Sequence, residues 1–158
     1  MRYVEGERVP YLGRTYRLRL VDRQAVPLKL ERGCFCLDRA CASEGRAHLL
    51  AWYVHHGQRW IEGRIAEYSA QLGVAPSIVG VREMGRRWGT CTAKGKLSFH
   101  WEVALLPPEV IDYIVVHELA HLRELNHSRR FWALVEETLP DYRRHRTWLG
   151  AHGHEVTL

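Results

Sequence analysis

Residues 115–127 constrain this chain more than any other segment, because they place three histidines at metal-ligand spacing on an apolar helix. Side chains four residues apart lie on the same face of an α-helix, so His117 and His121 can direct two imidazoles at one point. Glu118 projects about 100° further around the helix axis. Its carboxylate can contact a water molecule beside the metal and act as a general base. This His-Glu-x-x-His spacing is a known signature of zinc metalloproteases.

A third ligand is needed, because a catalytic zinc commonly has three protein ligands and keeps its fourth position for water. His127 lies ten residues after His117, which is the spacing of the third histidine in metzincin sites. Glu124 stands where those sites have a glycine, so we expect a different break before His127, helped by the tolerance of Asn126 for left-handed backbone geometry. Glu124 and Glu136 remain alternative third ligands, since a glutamate from a following helix completes other sites of this kind.

Two features distinguish this segment from a chance pattern on surface histidines. The run Tyr113-Ile114-Val115-Val116 before the motif is apolar enough to be buried, and a third histidine falls at a ligand spacing. A purely structural zinc site would have no need of a carboxylate at Glu118. We therefore predict one Zn²⁺ per chain in a catalytic site, with His117, His121 and His127 preferred as ligands.

The composition is that of one globular domain with no membrane segment. A chain of 158 residues is the size of a single ordinary domain, and its hydrophobic fraction of 46% and charged fraction of 26% are near the globular average. No segment is apolar enough to span a membrane, and the N-terminal residues lack the apolar core of a signal peptide, so we expect a cytoplasmic protein. The net charge of +5 permits contact with nucleic acid but does not require it.

The N-terminal half is predicted to contain strands followed by a long helix. Strands are expected within residues 1–42, where apolar side chains alternate with arginines at residues 16–20. We expect this strand to form a hairpin with residues 28–37. After a linker at residues 38–43, an apolar stripe predicts a helix over residues 43–73 that ends at a glycine.

The C-terminal half is predicted to contain a second β region and the metal-site helices. The β region covers residues 78–105, with a turn at Gly95 and a strand over residues 97–105, where apolar and polar side chains alternate. The metal-site helices occupy residues 108–149. They are expected to begin at Pro108, Ser128 and Asp141, and the last to stop at Gly150. The pattern as a whole predicts one α+β domain over residues 1–158.

Four segments together resemble a known family. They are Arg87-Trp88-Gly89-Thr90-Cys91-Thr92, the approach to the metal helix from Leu105 to Tyr113, the His-Glu-x-x-His helix itself, and Asn126-His127-Ser128-x-x-Phe131-Trp132. This combination resembles the YgjP-like metal-dependent hydrolases, relatives of the SprT-like and WLM metallopeptidases among the zincins. The resemblance is strongest over residues 85–135 and extends from about residue 9 onward.

The resemblance implies a zincin-like fold, in which a small antiparallel or mixed sheet packs on the active-site helix. It also implies one zinc held by three histidines, which are His117, His121 and His127 here, with Glu118 as the base.

The Arg-Trp-Gly motif would lie near the site, so Arg87, Trp88 and the neighbouring His100 are candidate substrate-binding residues. Two positions depart from the family, which usually has serine at Thr90 and a polar amide at His100. Members also tend to carry a further N-terminal β segment, so we expect either a short variant or a fragment.

The predicted chemistry is hydrolysis of an amide bond in a peptide or protein by a metal-activated water. A peptide is expected to pair with the sheet edge near residues 96–104. The sequence offers four candidates for stabilising the oxyanion, which are His100, Tyr142, Arg143 and His145.

Three other functions use the same residues. A DNA-associated SprT-like protease would show salt-dependent DNA binding. A non-catalytic zinc-binding interaction module would close the metal with a fourth protein ligand. An amidase acting on a small non-peptide substrate would use the same chemistry as a peptidase.

Overall fold

The computed structural model describes the whole chain, from Met1 to Leu158, and confirms the α+β class. Its strands are β1 (Arg8–Tyr11), β2 (Arg14–Val21), β3 (Leu28–Glu31), β4 (Cys34–Asp38), β5 (Ile78–Arg82), β6 (Gly89–Cys91) and β7 (Lys96–His100). Its α-helices are α1 (Gly45–Leu72), α2 (Pro108–Ala120), α3 (Arg129–Thr138) and α4 (Tyr142–His152). Three short 3-10 helices lie at Arg39–Glu44, Trp101–Leu105 and Gly153–Glu155. None of the helices combines the length and the apolar character needed to cross a membrane.

The first sheet has the strand order β1-β2-β4-β3 and contains one parallel pair. β2 pairs with β4 in parallel, with Leu18 opposite Phe35, so the predicted hairpin between residues 16–20 and 28–37 is wrong. The antiparallel pairs are instead β1–β2 and β3–β4, and the second of these turns at Gly33. The reason is burial: β4 has three consecutive buried residues, which suits a central strand covered on both faces.

The second sheet has the order β5-β7-β6, with β7 in the centre. β7 pairs in parallel with β5 and antiparallel with β6, and Gly95 makes the turn before it. The strand predicted over residues 97–105 is wrong beyond His100, because residues 101–105 form a 3-10 helix. The imidazole of His100 caps that helix by accepting the Glu102 backbone N–H at 3.0 Å. Most residues of this 3-10 helix are buried and apolar, so its sequence resembles the alternating pattern of a strand.

Helix α1 packs against α2 through a charged network as well as apolar contacts. Asp112 of α2 accepts hydrogen bonds from Arg64 Nε at 2.8 Å and from the Tyr68 hydroxyl at 2.9 Å, both of which lie on α1. The start of α1 differs from the prediction, because residues 39–44 form a 3-10 helix where a linker was expected. The C-terminal end at Gly73 agrees with the prediction, and this glycine adopts the left-handed conformation with φ 66°.

The first sheet is fixed to the beginning of α2 at Gly13. The backbone N–H groups of Leu12 and Gly13 donate to the carbonyls of Ala104 and Leu105 at 2.8 and 3.1 Å. A Cβ atom at Gly13 would lie 2.8 Å from Pro107 Cα, and the φ of Gly13 is 74°, so only glycine fits here. One continuous hydrophobic core joins both sheets to the helices.

The last two helices differ from their predictions mainly at α4. Ser128 caps α3 by accepting the Phe131 N–H at 3.3 Å, in agreement with the sequence. α4 continues through Gly150 to His152, so the predicted stop is wrong; a glycine inside a helix costs only about 1 kcal/mol, which tertiary packing offsets. Asp141 makes no capping hydrogen bond, because its carboxylate contacts His145 Nε2 at 3.2 Å instead.

Candidate metal centre and active site

The end of α2 and the turn after it bring three imidazoles to one point. His117 lies in the last turn of α2, His121 directly follows the helix, and the chain then bends back to bring in His127. His127 Nε2 lies 3.1 Å from His121 Nε2 and 3.2 Å from His117 Nε2. A tetrahedral zinc with Zn–N bonds of about 2.0–2.1 Å separates its ligand nitrogens by about 3.3 Å. The spacing of the three donors therefore fits a metal of this size.

The hydrogen bonds around the imidazoles fit the same role. His121 Nδ1 donates to the backbone carbonyl of Glu124 at 3.0 Å, so its proton is on Nδ1 and the lone pair is on Nε2. His117 Nδ1 lies 3.2 Å from a carboxylate oxygen of Glu118, which favours the same tautomer. Partial desolvation lowers the pKa of His127, and the adjacent imidazoles of His117 and His121 lower it further. The lower pKa favours the neutral form of the imidazole, which binds metals. Converging lone pairs repel one another unless a cation lies between them.

The two alternative third ligands lie outside this cluster. The group of side chains able to hold a metal consists of the three histidines, and Glu124 contributes its backbone oxygen to His121 rather than its carboxylate. Glu136 lies 3.4 Å from Arg143 Nη1. The break before His127 is made without the left-handed residue expected at Asn126, since the non-glycine residues with positive φ lie elsewhere in the chain.

Glu118 is buried beside the imidazoles with half of its carboxylate unpaired. Its side chain is 5% exposed, and Oε2 is enclosed without a hydrogen-bond partner in the chain. Leaving a buried carboxylate oxygen unpaired is costly unless another group bonds to it. Gly89 of β6 lies directly against this side chain. A residue with a Cβ atom could not approach Glu118 so closely. One carboxylate oxygen thus has no hydrogen-bond partner, while the other lies against the His117 imidazole.

A cavity of about 260 Å³ opens beside Glu118 and His117. Its other walls are Arg87, Trp88, Gly89, Tyr113, Ile114 and Leu149. Two of the three predicted substrate-binding residues, Arg87 and Trp88, therefore lie at the cavity. Tyr113 was missed by the sequence reasoning although its position four residues before His117 puts it on the same helix face. Leu149 comes from α4, and no local pattern could have indicated it.

Comparison with known proteins decides the family. Residues 1–152 match the family described as "YgjP-like, metallopeptidase domain". The chain belongs to the YgjP-like metallopeptidase family. This confirms the resemblance seen in the sequence and identifies a hydrolytic enzyme, a metal-dependent peptidase, for which the histidine cluster offers the ligands of a divalent metal. No curated protein matches the chain.

Two solved structures are similar to this YgjP-like chain. The metallopeptidase zymogen of Pyrococcus abyssi abylysin has a TM-score of 0.51 and 26% identity, and the match covers 57% of this chain and 93% of that one. The metallopeptidase zymogen of Methanocaldococcus jannaschii jannalysin has a TM-score of 0.51 and 20% identity, over 61% of this chain and 97% of that one. The second likeness shows the fold alone. Together with the family, these matches confirm the zincin-like fold class.

His100, the third predicted substrate-binding residue of the YgjP-like chain, is part of a structural network. It is 3% exposed, its Nε2 lies 3.0 Å from Glu83 Oε1, and its Nδ1 caps the following 3-10 helix. Glu83 also accepts from Trp101 Nε1 at 2.8 Å. Hydrogen bonds from Trp101 and then His100 lower the pKa of Glu83 to about 2. Both ring nitrogens of His100 are thus engaged away from the cavity of Glu118.

The other oxyanion candidates also have contacts of their own. The ring of Tyr142 stacks on Trp132 at a centroid distance of 5.4 Å. Arg143 lies near Glu136 and over the Tyr142 ring, and His145 contacts Asp141. None of these residues lines the cavity beside Glu118.

The free edge of the second sheet is not where the sequence suggested. β7, which holds most of residues 96–104, pairs on both sides and offers no edge to a substrate. The open edge beside the active-site helix is β6, whose first residue, Gly89, contacts Glu118. The prediction failed because strand order depends on distant pairing, which alternation along one segment does not reveal.

Proposed function

We propose that this chain is a zinc-dependent peptidase in which His117, His121 and His127 hold the metal and Glu118 is the general base. The observation that carries the proposal is the buried, unpaired Oε2 of Glu118 beside three converging imidazoles. Zinc in such a site polarises the scissile carbonyl and lowers the pKa of water toward neutrality. A purely structural metal site would gain nothing from a buried carboxylate with a free oxygen, so the geometry favours catalysis over a non-catalytic zinc module.

Glu118 performs the proton transfers of the proposed reaction. Its carboxylate accepts a proton as the water oxygen bonds to the carbonyl carbon and the carbonyl π electrons move to the oxygen. When the C–N bond breaks, the carbonyl re-forms and Glu118 delivers that proton to the leaving amine. The tight contact with Gly89 and the hydrogen-bond contact with His117 hold the carboxylate in position for both transfers.

The substrate is proposed to extend along β6 as an additional strand, because this edge runs beside the metal centre. Glu118 delivers a proton to the leaving amine, so the cavity that contains Glu118 lies on the leaving-amine side. The side chain following the scissile bond would enter this cavity, between Trp88, Tyr113 and Leu149. These walls favour a large apolar side chain.

The test is hydrolysis of a peptide library by the zinc-loaded chain, compared with Glu118→Gln. We expect the variant to retain zinc and to lose about 10²- to 10⁴-fold in kcat, the usual contribution of general acid–base catalysis. Glu137→Gln, which changes an exposed carboxylate on α3 that is not a candidate ligand, is the matched control and should cleave at the normal rate. Normal hydrolysis by zinc-loaded Glu118→Gln would show that the proposed mechanism is wrong.

A further inference from the structure

A second cleft continues from the catalytic cavity on the far side of Trp88. It has a volume of about 500 Å³, and it shares Arg87, Trp88 and Leu149 with the cavity of Glu118. Trp88 is held between the two, because Gly153 packs against its indole so closely that a Cβ there would lie 3.2 Å from Cζ2. A ligand in the catalytic cavity can therefore reach the second cleft around a fixed indole wall.

The cleft carries positive charge that the chain does not neutralise. Arg86 and Arg87 line it, both are exposed, and neither forms an ion pair or a side-chain hydrogen bond within the chain. Arg64, by contrast, is paired with Asp112 at 2.8 Å. Two guanidinium groups without a carboxylate are suited to an anionic ligand, which they can bind through paired N–H donors.

The acidic groups around the cleft do not cancel this charge. Glu83 does not line the cleft, and its two carboxylate oxygens accept hydrogen bonds from Trp101 and His100. Glu102 is the one carboxylate that lines the cleft, against two arginines. His100 and His154 also line the cleft.

We propose that this cleft binds a carboxylate of the peptide substrate, two or more residues beyond the scissile bond on the leaving-amine side. The inference rests on the proposed peptidase function, since that function sets the direction of the substrate through the cavity of Glu118. The carboxylate has two sources with the same chemistry, an acidic side chain and the free C-terminus of a short peptide. The cleft thereby makes the enzyme selective for acidic peptides or for positions near a C-terminus.

The experiment compares matched peptides with the zinc-loaded chain. One pair differs by Glu or Gln at the second residue after the cleaved bond, with an amidated C-terminus, and another pair differs by a free or amidated C-terminus. We expect the acidic member of one pair to have a kcat/KM about five- to twentyfold higher, mainly through a lower KM. The pair that shows the preference identifies the source of the carboxylate.

Arginine variants test whether the cleft is the source of the preference for acidic peptides. Arg86→Gln and Arg87→Gln should each reduce the ratio of kcat/KM between acidic and neutral peptides toward one. Arg82→Gln removes an exposed arginine from β5 that does not line the cleft, so the ratio should survive. Equal loss of the ratio in Arg82→Gln would mean a general effect of net charge and would overturn the site.

Equilibrium binding separates this inference from the peptidase proposal. Fluorescence polarisation of the same labelled peptides on zinc-loaded Glu118→Gln measures recognition without cleavage. The carboxylate site is supported if Glu118→Gln binds the acidic peptide more tightly than the neutral one and the double variant Glu118→Gln/Arg87→Gln does not. This result would hold even if the wild type cleaves nothing. Equal affinity for acidic and neutral peptides, or absence of binding by both, overturns the cleft even if the wild type is an active peptidase.

Discussion

Gly89 lies against Glu118 with no room for a side chain between them. A Cβ atom at Gly89 would be 3.0 Å from Glu118 Cγ and 3.3 Å from Oε2. Gly89 begins the edge strand β6, and Glu118 lies in the last turn of α2, so the distance between sheet and helix is set at the proposed base. The glycine of the Arg-Trp-Gly motif is therefore a positioning residue for Glu118.

Gly89→Ala should lower kcat by about 10- to 100-fold, because a displacement of the base by less than 1 Å is enough to impair proton transfer. The variant should retain zinc, since the added methyl group meets Glu118 rather than an imidazole. Gly80→Ala, in β5 of the same sheet, is the control, because a Cβ there meets nothing within 4 Å. Steady-state kinetics with metal analysis distinguishes the two, and an unchanged kcat in Gly89→Ala would contradict the positioning role.

His127→Ala should lose most of the bound zinc while remaining folded, because this histidine is exposed and lies after the last turn of α2. Elemental analysis of the purified variant measures the loss. A chelator should lower the thermal midpoint of the wild type and leave that of His127→Ala nearly unchanged. His55→Ala, an exposed histidine of α1, should hold one zinc like the wild type; full zinc retention by His127→Ala would return Glu124 or Glu136 to consideration.

Asp112→Asn should destabilise the fold by about 1.5–3 kcal/mol, the usual loss when a charged hydrogen-bond acceptor is removed. The substitution keeps the shape of the side chain but weakens its contacts with Arg64 and Tyr68, which join α1 to α2. Urea unfolding of metal-free protein measures the change. Glu109→Gln, at an exposed carboxylate in the first turn of α2, should cost less than about 1 kcal/mol. Equal effects would mean that helix charge, and not the network, explains the loss.

The Glu83 network should produce an acid-dependent contribution to stability. The pKa of Glu83 is lowered from 4.5 to about 2 by Trp101 and His100, so its contacts stabilise the folded chain above pH 4.5 and are lost as the pH falls toward 2. The thermal midpoint of metal-free wild type should exceed that of Glu83→Gln at pH 6. The difference should shrink between pH 4.5 and 2, as followed by circular dichroism. A difference that is constant over this range would contradict the assignment.

Local patterns in the sequence were sufficient for the metal-bearing helix. Helical spacing placed His117 and His121 on one face, Pro108 marked the start of α2, and Ser128 marked the cap of α3. Each of these depends on residues within a few positions of one another. The grouping of the three histidines therefore needed little information beyond the sequence itself.

The pairing of strands that are distant in the sequence could not be predicted from local patterns. The parallel contact of β2 with β4 and the central place of β7 depend on which strands are buried, and alternation along one strand does not contain that information. Leu149 reaches the catalytic cavity only because α4 folds back over α2. The two ring nitrogens of His100 bind Glu83 and the backbone of Glu102, contacts that no local pattern in the sequence indicates.

The junction at Gly13 has a consequence for folding during synthesis. The N–H groups of Leu12 and Gly13 donate to the carbonyls of Ala104 and Leu105, which are synthesised about ninety residues later. At usual rates of elongation this separation corresponds to roughly 5 to 20 seconds. During that interval the first sheet can form, but the N–H groups of Leu12 and Gly13 stay hydrated. The catalytic helix is thus among the last parts to dock, onto a platform that was translated first.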